Sequence, residues 1–147
     1  MKAREAILEQ WIAETLASYP SATVAFIAGE KDPFRNPVGE TVRRSLAVLL
    51  EQLYGAMEPA DIARALDDIV RLRAVQDLAP SDAVGFVFLL KPILRRFAPG
   101  EDLLSLNQRI DALALLAFEK YMHCREQVAE IRVKEGRRAA GLRRATG

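Results

Sequence analysis

Cysteine occurs once in the 147 residues, at Cys124, and histidine once, at His123. A single thiol excludes an intramolecular disulfide and any cysteine-rich metal motif, and fits a reducing compartment. The adjacent imidazole does not complete a metal pair, because neighbouring helix positions point about 100° apart. A c-type haem would need a CxxCH string, which is absent. No metal site and no bound cofactor is therefore expected. Long apolar runs are missing too. The stretch Ala83 to Leu90 ends at Lys91-Pro92, far short of the ~20 residues of a membrane span. The opening MKAREAILEQW has no apolar core of the signal-peptide kind, so a cytoplasmic protein is expected. There is no phosphate-cradling glycine loop, no GxSxG and no HExxH. No catalytic residue is assigned on this basis, and an enzyme is not expected. Neither a β alternation nor an internal repeat is visible.

What remains is apolar helix-forming sequence with charge unevenly spread along it. Half the residues are hydrophobic and 28% are charged, the balance of a folded globular domain and not of a disordered chain. The length suits one domain with a proper core. Residues 132–147 hold Arg132, Lys134, Arg137, Arg138, Arg143 and Arg144 against Glu135 alone, a net of +5, so the remaining 131 residues sum to −4. We expect a helical domain over residues 1–131 and a basic, flexible tail over 132–147.

Apolar spacing predicts an all-α bundle of five or six helices. The first covers Ala3 to Ser18, with Leu8, Trp11, Ile12, Thr15, Leu16 and Tyr19 inward. It breaks at Pro20, and a short helical piece follows over Ser21 to Ala28. Gly29 to Gly39 reads as a loop, with Asn36 as N-cap and Pro37 in the first turn of the next helix. That helix runs from Val38 to Tyr54, with Val42, Leu46, Leu49, Leu50 and Leu53 inward and Gly55 at its C-cap. The fourth covers Pro59 to Leu78, burying Ile62, Leu66, Ile69, Val70 and Leu72. The fifth, Ser81 to Phe97, is apolar on nearly every side. It is therefore expected at the centre, capped by Ser81 and kinked at Pro92. The last begins near Glu101 and meets no breaker before Gly136, a rod of roughly 50 Å. It carries one seam at Leu103, Leu106, Ile110 and Leu113 and a second, offset, at Tyr121, Cys124, Val128 and Ile131.

Three sites are candidates for function. The distal seam, Tyr121, Cys124, Val128 and Ile131, extends beyond the bundle and needs a partner. It is the expected interface, and a homodimer through this helix is expected. A pocket between helices four, five and six would be lined by Phe86, Phe88 and Tyr121 with Arg71 or Arg73 as polar anchor, the usual form of a small-ligand or haem site. Asp67 and Asp68 diverge and pair with Arg71 at helical spacing instead of forming an acid–base pair. The basic tail lacks aromatics for stacking, so nucleic-acid binding ranks last.

The segments DPFRNPVGETVRRSL (Asp32 to Leu46) and LDDIVRLRAVQDLAPSDAVGFVFLLK (Leu66 to Lys91), with LEQWIAETLASYP (Leu8 to Pro20), resemble the N-terminal domain of RsbT co-antagonist proteins of the RsbRD type. The resemblance covers roughly residues 4 to 125. It implies an all-helical sensory input module. In that family the module precedes a STAS domain in stressosome regulators that sequester a switch kinase. Related input domains are globin-like without haem, dimeric, and joined to their output domain by a long helix. The resemblance implies the input module and, on the last helix, its connector; since the sequence ends at Gly147, a departure from the family plan, a stand-alone module without a STAS domain that acts through protein contacts is expected. Its implied alternative is a ligand- or haem-binding helical module accessory to an anaerobic redox complex.

Overall fold

A computed structural model describes residues 2–19, 37–76 and 78–146, with side chains to residue 142. Its described residues form six α-helices and one 3-10 turn. These are α1 (Lys2–Ala17), α2 (Pro37–Tyr54), α3 (Pro59–Val75), α4 (Pro80–Val84), the turn Gly85–Val87, α5 (Leu90–Phe97) and α6 (Leu103–Thr146). The expected all-α bundle is what forms. The most extensive packing is that of α3 against α2 on one side and α6 on the other, and α1 closes the bundle over α2 and α5. The expected piece Ser21 to Ala28, most of the loop before Gly39 and the Asn36 cap lie outside the described residues.

Stripe spacing explains why these helices bury what they do. On α2, Val42, Leu46, Leu49, Leu50 and Leu53 are all buried, as read from the sequence. Proline opens both α2 and α3, where its fixed φ suits the helix and its missing N–H is no loss. On α3, Ile62, Leu66, Ile69 and Val70 are buried, but Leu72 is only half-buried, and Arg73 and Ala74 take the inward positions. The helix also stops at Val75, short of Leu78.

The connection between α2 and α3 is fastened by side chains. Gly55 has no left-handed φ; the positive φ falls on Met57, at 54°, a costly conformation for a residue with a Cβ. Gln52 holds this turn by accepting the Glu58 N–H at 2.7 Å. Arg109 of α6 donates to the carbonyls of Leu53 at 2.9 Å and Gly55 at 2.6 Å. Those are the orphan acceptors at the end of α2.

The expected single helix Ser81 to Phe97 is broken into α4, the 3-10 turn and α5. Ala79 is the N-cap residue and Pro80 the first helical position, so Ser81 does not cap. Pro92 makes no kink. It lies in the first turn of α5, and the Phe88 carbonyl accepts the Lys91 N–H at 3.1 Å instead. The break has a tertiary cause. Arg73 takes the carbonyls of Ala83 and Asp82, and Trp11 takes that of Phe86, each at 2.7 Å. Three acceptors of the helical ladder are thus engaged by α1 and α3, around a glycine, a poor helix former. Ala83, Phe86, Val87 and Leu90 are buried, but Phe88 faces out, so the segment is not apolar-enclosed on all sides.

In α6 the two expected seams are one stripe. Ala114 and Ala117, both buried, bridge Ile110 and Leu113 to Tyr121 and Cys124. The helix does not end near Gly136. It continues through the basic residues to Thr146, 44 residues in all, and a Cβ at Gly136 would meet nothing.

Candidate functional site

Two arrangements stand out, one buried and one exposed, and α3 connects them. The buried one is Arg73, fully excluded from solvent. Its Nε donates to the Ala83 carbonyl and one Nη to both the Asp82 carbonyl and Ser18 Oγ, the last at 3.0 Å. Ser18 in turn donates to the Thr15 carbonyl at 2.5 Å. The guanidinium lies 4.9 Å from the Tyr19 ring centre and 5.2 Å from that of Phe86, close enough for cation–π attraction. The other Nη has no hydrogen-bond partner among the described residues. Burial pushes the Tyr19 phenol up, and the Arg73 charge works against that shift. The planar fork of arginine reaches two carbonyls of α4 and a hydroxyl at the end of α1 at once. It ties three elements at one corner of the bundle.

The exposed arrangement is the far end of α3 against the distal part of α6. Ala74 and Val75 face Cys124, Val128 and Ile131 across a groove of about 530 Å³, with Arg71 and Glu130 at its rim. Val75 is 69% exposed and Ile131 56%. Arg71 is held by Asp67 at 2.9 Å, and Asp68 reaches Arg44 at 3.9 Å, so the two carboxylates diverge as their spacing requires. Cys124 is buried, and burial pushes its thiol up, with the Arg71 charge opposing. His123 turns away from it into a different groove beside Ile62 and Leu66.

The pocket residues read from sequence do not line one pocket. Arg73 and Phe86 meet, but inside a filled core. Tyr121 is fully buried, donates its hydroxyl to the Leu78 carbonyl and accepts from Arg125 at 3.2 Å. Phe88 is 46% exposed and sits by Lys91. Arg71 lies on the outer face. Of the four residues expected at an interface, Tyr121 and Cys124 are covered by the chain's own bundle, whereas Val128 is half-buried and Ile131 exposed. Sequence reading placed Arg73 in the ligand pocket and overlooked its structural role. The signal was there, since position 73 continues the stripe of Ile62, Leu66, Ile69 and Val70.

Among the described residues no group of three or more His, Cys, Asp or Glu side chains is placed to hold a metal ion. No described helix is long and apolar enough to cross a membrane.

Comparison with known proteins adds three findings. The family described as RsbT co-antagonist protein rsbRD N-terminal domain matches residues 5–135. An uncharacterized protein of Archaeoglobus fulgidus is 27% identical over 135 residues, covering 90% of this chain and 83% of that protein. No solved structure matches.

Proposed function

The chain belongs to the family of RsbT co-antagonist protein rsbRD N-terminal domains, and on that premise we propose that it is a cytoplasmic regulatory input domain that works through protein contacts on α6 and catalyses no reaction. The observation that supports this is the length of α6. Its last buried side chain is Cys124, yet the helix runs on to Thr146, a projection of about 33 Å. An apolar edge that its own domain covers only in part, on a helix that runs on past the bundle, marks a surface for protein contacts. In this reading Arg73 sets the lie of α4 and the end of α3. That fixes the groove between Val75 and Ile131, so that a change in the core alters what α6 presents. The basic residues after 131 extend that element, and self-association of the chain through α6 belongs to the same reading.

The test compares protein cross-links of the wild-type chain in its own cells with those of a Val128→Asp plus Ile131→Asp variant. Loss of cross-links from α6 to other proteins, with the helical fold kept, is the expected result. An unchanged cross-link set overturns the reading. Purified protein that carries a stoichiometric ligand absorbing in the visible would instead favour a ligand-binding module.

A further inference from the structure

After Trp11, the largest fully buried side chain is a cation, and among the described residues no carboxylate balances it. Arg73 is excluded from solvent and belongs to none of their ion pairs. A guanidinium has five N–H donors. Three are taken by the carbonyls of Ala83 and Asp82 and by Ser18 Oγ. The other two sit together on the second Nη, which has no partner among the described residues. A buried charge that is neither paired nor fully hydrogen-bonded is strongly unfavourable.

Two hydroxyls at the same corner share this condition. Six buried side-chain polar atoms lack a hydrogen-bond partner among the described residues, and Thr15 Oγ1, Tyr19 Oη and the Arg73 Nη are three of them. The Tyr19 ring centre is 4.9 Å from the guanidinium carbon. Thr15 lies one helical turn before Tyr19, and its carbonyl accepts from the same Ser18 hydroxyl that Arg73 reaches. A single orphan has many local causes. A cation and two hydroxyls together are a set of donors that calls for an acceptor.

We propose that this corner, where the ends of α1 and α3 meet α4, binds a small monoanion: a carboxylate of formate or acetate size, on the second Nη of Arg73 and the hydroxyls of Tyr19 and Thr15. Charge sets the class. One cation and neutral hydroxyls offset one negative charge, and a sulfate or phosphate dianion would bring a second that nothing described at the corner balances. Cationic ligands are repelled by Arg73. Burial sets the size, since a ligand against a side chain closed to solvent is itself enclosed. Two N–H groups beside a hydroxyl suit the two oxygens of a carboxylate; a halide is the spherical alternative that the test separates. As a binding site the corner stands without the reading of α6 given above. As the input that shifts α4 and the end of α3, it rests on that reading.

The experiment follows the thermal midpoint of the purified full chain and the fluorescence of Trp11, its single tryptophan. The Trp11 ring stacks on Phe86 at 6.4 Å, and Phe86 lies against the guanidinium. Sodium formate, acetate, chloride and sulfate are titrated in turn, with sodium gluconate, too large to be enclosed, holding the ionic strength. Formate or acetate should raise the midpoint saturably, by about 5–10 °C at a hundred times Kd, and change Trp11 emission over the same range. Sulfate should do no more than gluconate. Tyr19→Phe removes an unpartnered buried hydroxyl, so in gluconate its midpoint should equal or exceed the wild type's, while formate binding weakens about tenfold. Arg73→Met should abolish the response, and Arg43→Met, exposed on α2, should keep it. Equal midpoints in every salt would leave the donors to water and overturn the proposal. A response that survives Arg73→Met overturns it too, and one to chloride but to neither carboxylate overturns the ligand class. Should Arg73→Met misfold, Tyr19→Phe still decides, because wild-type formate affinity in that variant refutes the site. None of these outcomes bears on the cross-linking test of α6, so the two readings fall separately.

Discussion

Replacing Arg73 tests how the corner of α1, α3 and α4 is held. Arg73→Met keeps most of the volume and removes the charge. The carbonyls of Asp82 and Ala83 then lose their donors in a buried setting, at about 1–3 kcal/mol each. Removing a desolvated guanidinium, one of whose Nη atoms has no partner among the described residues, gives part of this back. A net loss of about 2–4 kcal/mol follows. Arg73→Lys keeps a charge but not the fork. One ammonium cannot reach both carbonyls and Ser18 in the same geometry, so the charge stays buried and under-bonded, at a cost of about 3–5 kcal/mol. The expected order of stability is wild type, then Met, then Lys. Urea unfolding followed by circular dichroism should show midpoints lower by roughly 1–2 M for Met and lower again for Lys. If Lys is the milder change, the reasoning fails: the charge at this position, not its three hydrogen bonds, would be what stabilises the corner.

Other changes probe single contacts. Trp11→Phe removes the donor to the Phe86 carbonyl and some buried volume, so unfolding should cost about 2–4 kcal/mol less; a loss under 0.5 kcal/mol would show that the bond is idle. Gly136→Ala sits in open space on a helix and should stabilise the end of α6 by up to about 1 kcal/mol. Hydrogen exchange of the α6 amides beyond residue 130 should then slow up to about fivefold, and faster exchange would contradict a continuous helix. Cys124 should react with a thiol reagent only after unfolding, and fast native labelling would refute its burial. Both Cys124 and Tyr19 ionise less readily folded than unfolded. Their contribution is intact at neutral pH and is lost as pH rises past about 8.5 for the thiol and about 10 for the phenol. Stability that held constant to pH 11 would count against both.

The stripe on α2 was legible in full, and those on α1 and α3 in most positions, because apolar residues at three- and four-residue spacing have only one way to be buried together; Ile7, buried where Leu8 and Leu16 are half-buried, and Arg73 were missed. Proline at the heads of α2 and α3 was legible because its φ is fixed by its ring. Family membership was legible in the strings around Arg73 and Ala83. The division of the segment from Pro80 to Phe97 was not. Gly85 permits a break but does not require one; the requirement comes from Trp11 and Arg73, distant in the chain, which engage carbonyls that a continuous helix would have used itself.

The same distinction governs α6. Its length and apolar content follow from the sequence alone, because helical geometry converts residue spacing directly into faces. Which of its faces the body covers depends on where α3 and α4 lie, and that is a tertiary matter. Tyr121 and Cys124, outward contacts by spacing, are closed off because α3 ends at Val75 and the Leu78 carbonyl accepts from the Tyr121 hydroxyl. Leu115, Phe118 and Met122 stay outside because the bundle needs only one stripe to close. Local chemistry fixed which residues form helices, and long-range hydrogen bonds and packing decided which of their faces remain exposed.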